Sequence, residues 1–362
     1  MRVLFVVFVF LYFYRFQTPL LALVQHQLSG GQTTYFPFVS SLVLSFVLLV
    51  VQKLISRWVR FSDTTYFFSY VPSAILAVLL TAFTPTVKLS ILIGVGVALI
   101  CFILAVIYAF VDKTTDNRSA ESFYKLFMVH SLGMLVILCF IGGLSHSNDI
   151  LNYELSVARS LNIGEGEKAK NIGIKSLSTS QRLCALRAFA LSRREGTLPD
   201  SLFLYPVAGV GADMLMFSPN DTLVQLLPPD SLYSRFGVWP SSKETAVQYF
   251  ERMHSRTNHS SAKDYWLTAL LLEKDLDKFV RELPKYYVVA DSVSLPRAFT
   301  EALSIYNVNA SKPIVFMGDS IEEVAYHQFL ADGNGYDDMK VRENELRRKY
   351  GDTYWWYYHY QN

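Results

Sequence analysis

Cysteine is nearly missing from this chain: of three in 362 residues, Cys101 and Cys139 fall in apolar runs and Cys184 stands alone in the more polar remainder. A disulfide within that remainder is excluded, and so is a two-cysteine metal clip. Charge is missing over a long stretch, since no residue from Leu89 to Val111 carries one, between Lys88 and the Asp112-Lys113 pair. The run exceeds the ~20 apolar residues that cover ~30 Å of hydrocarbon, so it predicts a transmembrane helix. Sustained polar/apolar alternation is also lacking, and nothing requires a sheet. A basic stripe is lacking too. Residues 1–145 hold nine Lys+Arg and four Asp+Glu, leaving 24 and 27 of the totals of 33 and 31. The second part is therefore net −3, and no nucleic-acid partner is expected.

Four further stretches accompany the uncharged run. Phe36 to Val51, Tyr66 to Phe83 and Tyr124 to Leu144 are similarly apolar, and Val3 to Val24 is a weaker fifth. The expected architecture is all-α: a bundle of about five transmembrane helices over residues 1–145, in contact with membrane lipid, and a soluble domain over 146–362. Met1-Arg2 and the apolar run after it resemble the start of a signal peptide, but no small-residue cleavage site follows. Arg15 interrupts the first stretch. Either one helix carries it near mid-depth, or two shorter pieces break near Pro19 and Arg15 snorkels to an interface. Loop charges set the expected orientation. Lys53, Arg57 and Arg60 follow the second stretch, and Lys113, Arg118 and Lys125 follow the fourth, whereas the loop Gln25 to Tyr35 has no Lys or Arg. By the positive-inside rule the amino terminus is cytoplasmic and, after five crossings, the soluble domain is periplasmic in a bacterium.

Ionisable groups within these stretches are few. Arg15 and His130 are the candidates for a small transporter handling an anion or a proton, yet no Asp or Glu accompanies His130 to make a relay.

From His146 onward, helical patterns of roughly 10 to 18 residues alternate with Gly, Pro and Ser. They are Asp149 to Leu161, Glu165 to Leu177, Thr179 to Glu195 capped by Ser178 or Thr179, Pro199 to Tyr205, Lys243 to Ser255 capped by Ser241 or Ser242, Ala262 to Leu272, Leu276 to Tyr286, Pro296 to about Tyr306, Asp319 to Leu330 and Asp337 to Tyr350. Helix pairs joined by short turns predict an α-solenoid-like, degenerate tetratricopeptide-like stack, since no strict ~34-residue period can be aligned.

Candidate chemistry is sparse. Pro313 to Ile321 resembles the first block of the SGNH hydrolases, in which a strand presents a nucleophilic serine, here Ser320, at a helix start. No Asp-x-x-His follows, and His327 on the same helix does not make a triad. The alternative is that Asp319 or Ser320 caps that helix. His254 and His259 have no third ligand by spacing, and Asp332, Asp337 and Asp338 miss the twelve-residue calcium pattern. No metal or cofactor is expected. Tyr354-Trp355-Trp356-Tyr357 near the end reads either as a partner-binding patch, since Tyr and Trp favour surfaces wet at one end, or as a final helix docked to close the stack.

Several motifs together are similar to an uncharacterised Bacteroidetes-type family of multi-spanning membrane proteins with a tetratricopeptide-like soluble half. They are Tyr12-Phe13-Tyr14-Arg15 with the Gln-rich loop and Thr34-Tyr35-Phe36, Ala188 to Leu191 with Gly196 to Phe203, Leu295-Pro296-Arg297 leading to Glu301-Ala302-Leu303, and Gly351 to Trp355. The resemblance implies the two-part architecture and a bacterial inner-membrane address, and no activity. The expected function is non-enzymatic binding of a protein or peptide by the soluble domain; a membrane-tethered hydrolase using Ser320 and a small transporter are the alternatives.

Overall fold

A computed structural model describes the chain except residues 60, 82–88, 113–122, 145–147, 218–225, 228–229, 290–293, 310–319 and 362. It divides into two compact units, Met1–Asn148 and Asp149–Asn362. Among the described residues every regular element is helical.

In the first unit, α1 (Arg2–Leu11) runs into a π-helical turn (Tyr12–Phe16) and then meets α2 (Thr18–Leu28) at a bend of 76°. Pro19 explains the break. In the first turn of α2 its missing N–H is harmless, but it cannot carry on the ladder of the preceding helix. The hydroxyl of Thr18 donates to the Phe13 and Tyr14 carbonyls released there, at 3.2 and 2.7 Å. Three helices follow that are long and apolar enough to cross a bilayer: α3 (Pro37–Trp58), α5 (Leu89–Asp112, its described side chains beginning at Ile91) and α6 (Phe123–Leu144). Their length and composition suggest association with a membrane.

The expected run Tyr66 to Phe83 is described as far as Thr81, and Tyr66–Thr81 is an apolar helix shorter than these three. It winds as a 3-10 turn over Tyr66–Tyr70 and becomes helical as α4 (Val71–Thr81), where Pro72 opens the first turn. At ~2.0 Å per residue in the 3-10 turn and ~1.5 Å in α4, the described stretch rises about 26 Å, against ~30 Å for a hydrocarbon core. Its place in the unit is central. Val71, Ala74, Ala77 and Val78 are buried, and α4 packs on α3, α5 and α6. Polar side chains tie these helices. Ser73 Oγ donates to the Leu48 carbonyl at 2.8 Å, Gln52 Nε2 donates to Ser69 Oγ at 2.9 Å, and the Tyr12 and Thr81 hydroxyls pair at 2.8 Å. Hydrogen bonds of this kind hold helices together where no water competes for them. The outer faces are the reverse: Leu42, Phe46, Leu92, Ile100, Leu104 and Val136 are exposed.

In the second unit, α7 (Asp149–Asn162) packs on α8 (Gly166–Asn171) and α9 (Gln181–Leu191). Helix α8 stops six residues before the expected Leu177. Gly173 takes φ +67°, and a Cβ there would lie 3.1 Å from the Tyr153 ring and 3.2 Å from Arg187 Nη2, so the chain must turn over them. The cap of α9 is Ser180, which accepts from Leu183 N at 3.0 Å. Two short helices follow, α10 (Thr197–Ser201) and α11 (Ser231–Phe236), the second not foreseen from the sequence. Next, α12 (Ala246–Arg256) begins with a capping box of Thr245 and Gln248, later than the expected Ser241 or Ser242.

The hub is α13 (Ala262–Leu272). Ten of its eleven residues are buried, and it packs on α10, α12 and α14 (Leu276–Glu282). Then come α15 (Arg297–Asn309), α16 (Ser320–Asn334), α17 (Met339–Tyr350, capped by Asp338) and α18 (Tyr354–Tyr360, capped by Thr353). From α12 to α18 neighbouring helices pack in sequence, and longer ties join α10 to α15 and α15 to α18.

Candidate functional site

A helix leaves its last carbonyls without partners, and a buried end must find donors elsewhere. At the end of α13 the Leu271 carbonyl accepts from the Tyr354 hydroxyl at 2.9 Å, and the Leu272 carbonyl accepts from the Tyr357 hydroxyl at 2.7 Å and from Gly211 N at 3.0 Å. Trp355 Nε1 donates to the Glu301 carbonyl and to Ser304 Oγ. The Glu301 carboxylate accepts from Tyr354 N at 2.6 Å and from Arg297 Nε at 2.8 Å. Tyr354, Trp355, Trp356 and Tyr357 are therefore turned inward, 0, 4, 7 and 2 % exposed. The docked final helix is the alternative this geometry matches, and these four side chains offer little surface of their own to a partner. Glu301 is held in the same interior. Burial lifts its carboxyl to about 7, against the opposing pull of Arg297 and of the Tyr354 amide.

Where α18 meets the rest of its unit it leaves a cleft of about 200 Å³. Its walls are three turns of chain: Ile174 to Leu177 after α8, Phe203 to Val207 after α10, and the corner between α17 and α18. Trp356 and Tyr357 lie at the base, and Ile174 and Leu177 are exposed at the rim. Lys175, Arg347 and Arg348 stand around it against a single carboxylate, Asp352. Asp352 already faces Arg297 at 3.4 Å, and Arg348 pairs with Glu345 at 3.1 Å. Arg347 lies over the Trp356 ring at 5.0 Å, and neither it nor Lys175 has a carboxylate within ion-pair distance among the described residues.

Beneath one wall lies a buried cation. Arg187 of α9 is 1 % exposed, its guanidinium 4.7 Å from the centroid of the Tyr205 ring, and Tyr205 is part of the cleft wall. One contact is made, from Nη2 to the Gly173 carbonyl at 3.3 Å, while Nε and Nη1 find no partner. Burial lowers its affinity for the proton. An uncompensated buried charge is costly, and the Tyr205 face offsets a part of that cost. Nothing in the sequence singles out Arg187 or Asp264, a fully buried carboxylate in α13 that accepts from Gly196 N and the Tyr287 hydroxyl.

The other predicted residues lie apart from the cleft. Arg15 is exposed in the π-helical turn before the bend, which matches the broken-helix alternative. His130 faces the Tyr66 ring edge-on at 6.4 Å, with Nδ1 buried and unpartnered. Ser320 begins α16, but its side chain and the block Pro313 to Asp319 lie outside the described residues, and His327 is exposed. His254 is hydrogen-bonded to the Tyr286 hydroxyl at 2.7 Å, and His259 accepts from Arg235. Asp338 caps α17, while Asp332 holds Lys349, Tyr350 and Gln328, contacts that pull its carboxyl down to about 2. Among the described residues no group of three His, Cys, Asp or Glu could hold a metal ion.

Among the described residues the chain is thus all-helical, with bilayer-length apolar helices and a packed helical unit that carries a basic, aromatic-floored cleft. Residues 238–361, about a third of the chain and spanning α12 to α18, match the family described as a family of unknown function, DUF6057. The matched segment includes Leu295 to Leu303 and Gly351 to Trp355 but neither Tyr12 to Phe36 nor Ala188 to Phe203. No curated protein and no solved structure matches the chain.

Proposed function

We propose that this protein is a multi-pass protein of a bacterial inner membrane whose extracytoplasmic helical unit binds a protein or peptide partner and performs no chemistry of its own. The observation that carries the reading is the cleft beside α18. At about 200 Å³ it is smaller than the ~300–1,000 Å³ of small-molecule sites, and a volume of that size suits one or two side chains of a peptide. Exposed Ile174 and Leu177 at its rim would pack on such a segment. The unit would be a degenerate tetratricopeptide-like stack of helix pairs, α12 with α13 the clearest, closed by α18. Counting the bent α1–α2 pair and the short α4 as crossings restores five, and the loop charges then place the amino terminus in the cytoplasm and the second unit in the periplasm.

The test has two parts. A periplasm-active and a cytoplasm-active reporter fused after Asn148 and after Gln361 should give periplasmic activity at both sites; cytoplasmic activity at both would overturn the orientation. Photocrosslinkers placed at Leu177 and Trp239, two exposed apolar positions of the unit of which only Leu177 lines the cleft, should then differ. Discrete adducts from Leu177 and none from Trp239 are expected. Equal labelling at both would remove the cleft from the reading.

A further inference from the structure

We infer that the partner segment received by the cleft is acidic, so that an Asp or Glu side chain, or a terminal carboxylate, meets Lys175 and Arg347 while a neighbouring apolar side chain lies against Ile174 and Leu177. The inference rests on the partner-binding reading above and adds the chemistry of the partner. Its first ground is the charge balance at the rim. Of the three cations that line the cleft Arg348 is paired with Glu345, which leaves Lys175 and Arg347, and the one lining carboxylate, Asp352, is already turned to Arg297. Lys175 and Arg347 have no carboxylate partner among the described residues, although the second unit as a whole carries more acidic than basic residues. A local excess of positive charge on a net-negative unit is what electrostatic complementarity to an anionic ligand requires.

The second ground is independent of the rim. Arg187 keeps an unpaired guanidinium in the interior, one aromatic ring behind the cleft wall. In that dry setting its field is weakly screened, and it reaches the cleft through Tyr205 and the Ile174 to Leu177 turn rather than through water. A carboxylate arriving in the cleft is the group that field favours. The geometry of Arg347 agrees. Its guanidinium carbon lies 5.0 Å from the centroid of the Trp356 ring, and a guanidinium has the planar fork of donors that a carboxylate accepts in bidentate fashion.

A random peptide library displayed on phage, panned against the full chain in zwitterionic-lipid nanodiscs, tests both levels. Recovered sequences should be enriched in Asp and Glu beside an aliphatic or aromatic residue. Synthetic versions should lose affinity about tenfold in the Lys175→Glu, Arg347→Glu double variant and by a similar factor on going to high salt. Arg187→Met, which removes the buried charge without opening the rim, should weaken acidic peptides severalfold and leave a neutral peptide of the same length unchanged, with the near-ultraviolet circular dichroism of the unit retained. If peptides bind at the cleft without acidic enrichment and the charge variants change nothing, the acidic specificity is overturned while the partner-binding reading stands. If no recovered peptide is sensitive to Leu177→Asp, both fall. If vesicles of anionic lipid displace acidic peptides more effectively than free acidic peptide does, the cleft takes a membrane surface and the peptide assignment is overturned.

Discussion

Two helices of this chain, α5 and α13, are both dominated by apolar side chains, and they use them in opposite ways. In the bilayer-length window of α5, 11 % of residues are buried, whereas ten of eleven residues of α13 are. A helix apolar on all sides must be surrounded by something other than water, either lipid or protein. What separates the two is length and polar content. Helix α5 runs 24 residues with mean hydropathy 3.0 in its window. Helix α13 has eleven residues, less than bilayer length, and carries Asp264, whose buried carboxylate accepts from Gly196 N and the Tyr287 hydroxyl, partners that a protein interior supplies and lipid does not. Hydrophobicity alone therefore does not assign a solvent. It assigns one when read with length and with where the polar groups go.

The contrast can be broken first at Trp266, 1 % exposed in α13, with Lys278 over its ring at 4.7 Å. Trp266→Ala should cost about 3–5 kcal/mol of the second unit's stability, read from chemical unfolding of the full chain followed by near-ultraviolet circular dichroism. A loss under about 1 kcal/mol would mean α13 is not the hub. Next is the pH dependence of Glu301. An unfolded glutamate titrates in the ordinary carboxylate range, whereas this one is raised to about 7 in the fold. Between those values the folded state holds a proton that the unfolded state has lost. Stability is fully present below the ordinary range and declines as pH rises through about 7, by on the order of 3 kcal/mol. Glu301→Gln should flatten that slope, and a slope that survives the substitution would assign it to another group. Smaller still, Tyr354→Phe and Tyr357→Phe each remove one hydroxyl from a carbonyl at the end of α13 and should cost about 1–2 kcal/mol. The smallest effect is expected at Leu104 of α5, which is 59 % exposed. Leu104→Ala should stay within about 0.5 kcal/mol in detergent or lipid. A large loss there would show that the outer face of α5 is covered by another protein rather than by lipid.

Much of the fold was legible because it is written locally. The bounds of α13 follow from the sequence, since Leu272 ends an apolar block and the polar Glu273-Lys274-Asp275 follows. Bilayer-length runs are legible for the same reason. The bend before Thr18 was one of two readings of Arg15 and Pro19, and the freed Phe13 and Tyr14 carbonyls show how the chain accommodates it. Tyr66 to Phe83 is legible as an apolar helical run over its described part, Tyr66 to Thr81, but hydropathy is blind to Pro72, where the 3-10 turn gives way to α4. The candidate site was less accessible. Whether Tyr354 to Tyr357 faced out or in depended on two carbonyls some 83 and 85 positions earlier in the chain. The cleft itself is assembled from three turns separated in sequence by 25 residues or more, and no periodicity reports such a meeting. Arg187 was hidden for a related reason. In a helix whose neighbours are Leu, Ala and Phe, an arginine reads as the solvent-facing residue, and it is the turn at Gly173 and the Tyr205 ring, both distant in sequence, that close over it.

The tyrosines that close α13 also impose an order on synthesis. A nascent second unit that has reached Leu272 already contains its most apolar helix, yet the two tyrosine hydroxyls that complete its final carbonyls, beside Lys274 N on Leu271 and Gly211 N on Leu272, are translated some eighty residues later. Until residue 360 has cleared the ribosome, the unit is an unfinished core with a sticky, open end. Holding factors and proteases would meet it in that interval, and a ribosome stalled anywhere between α14 and α18 would release a fragment marked for disposal by its own exposed hub.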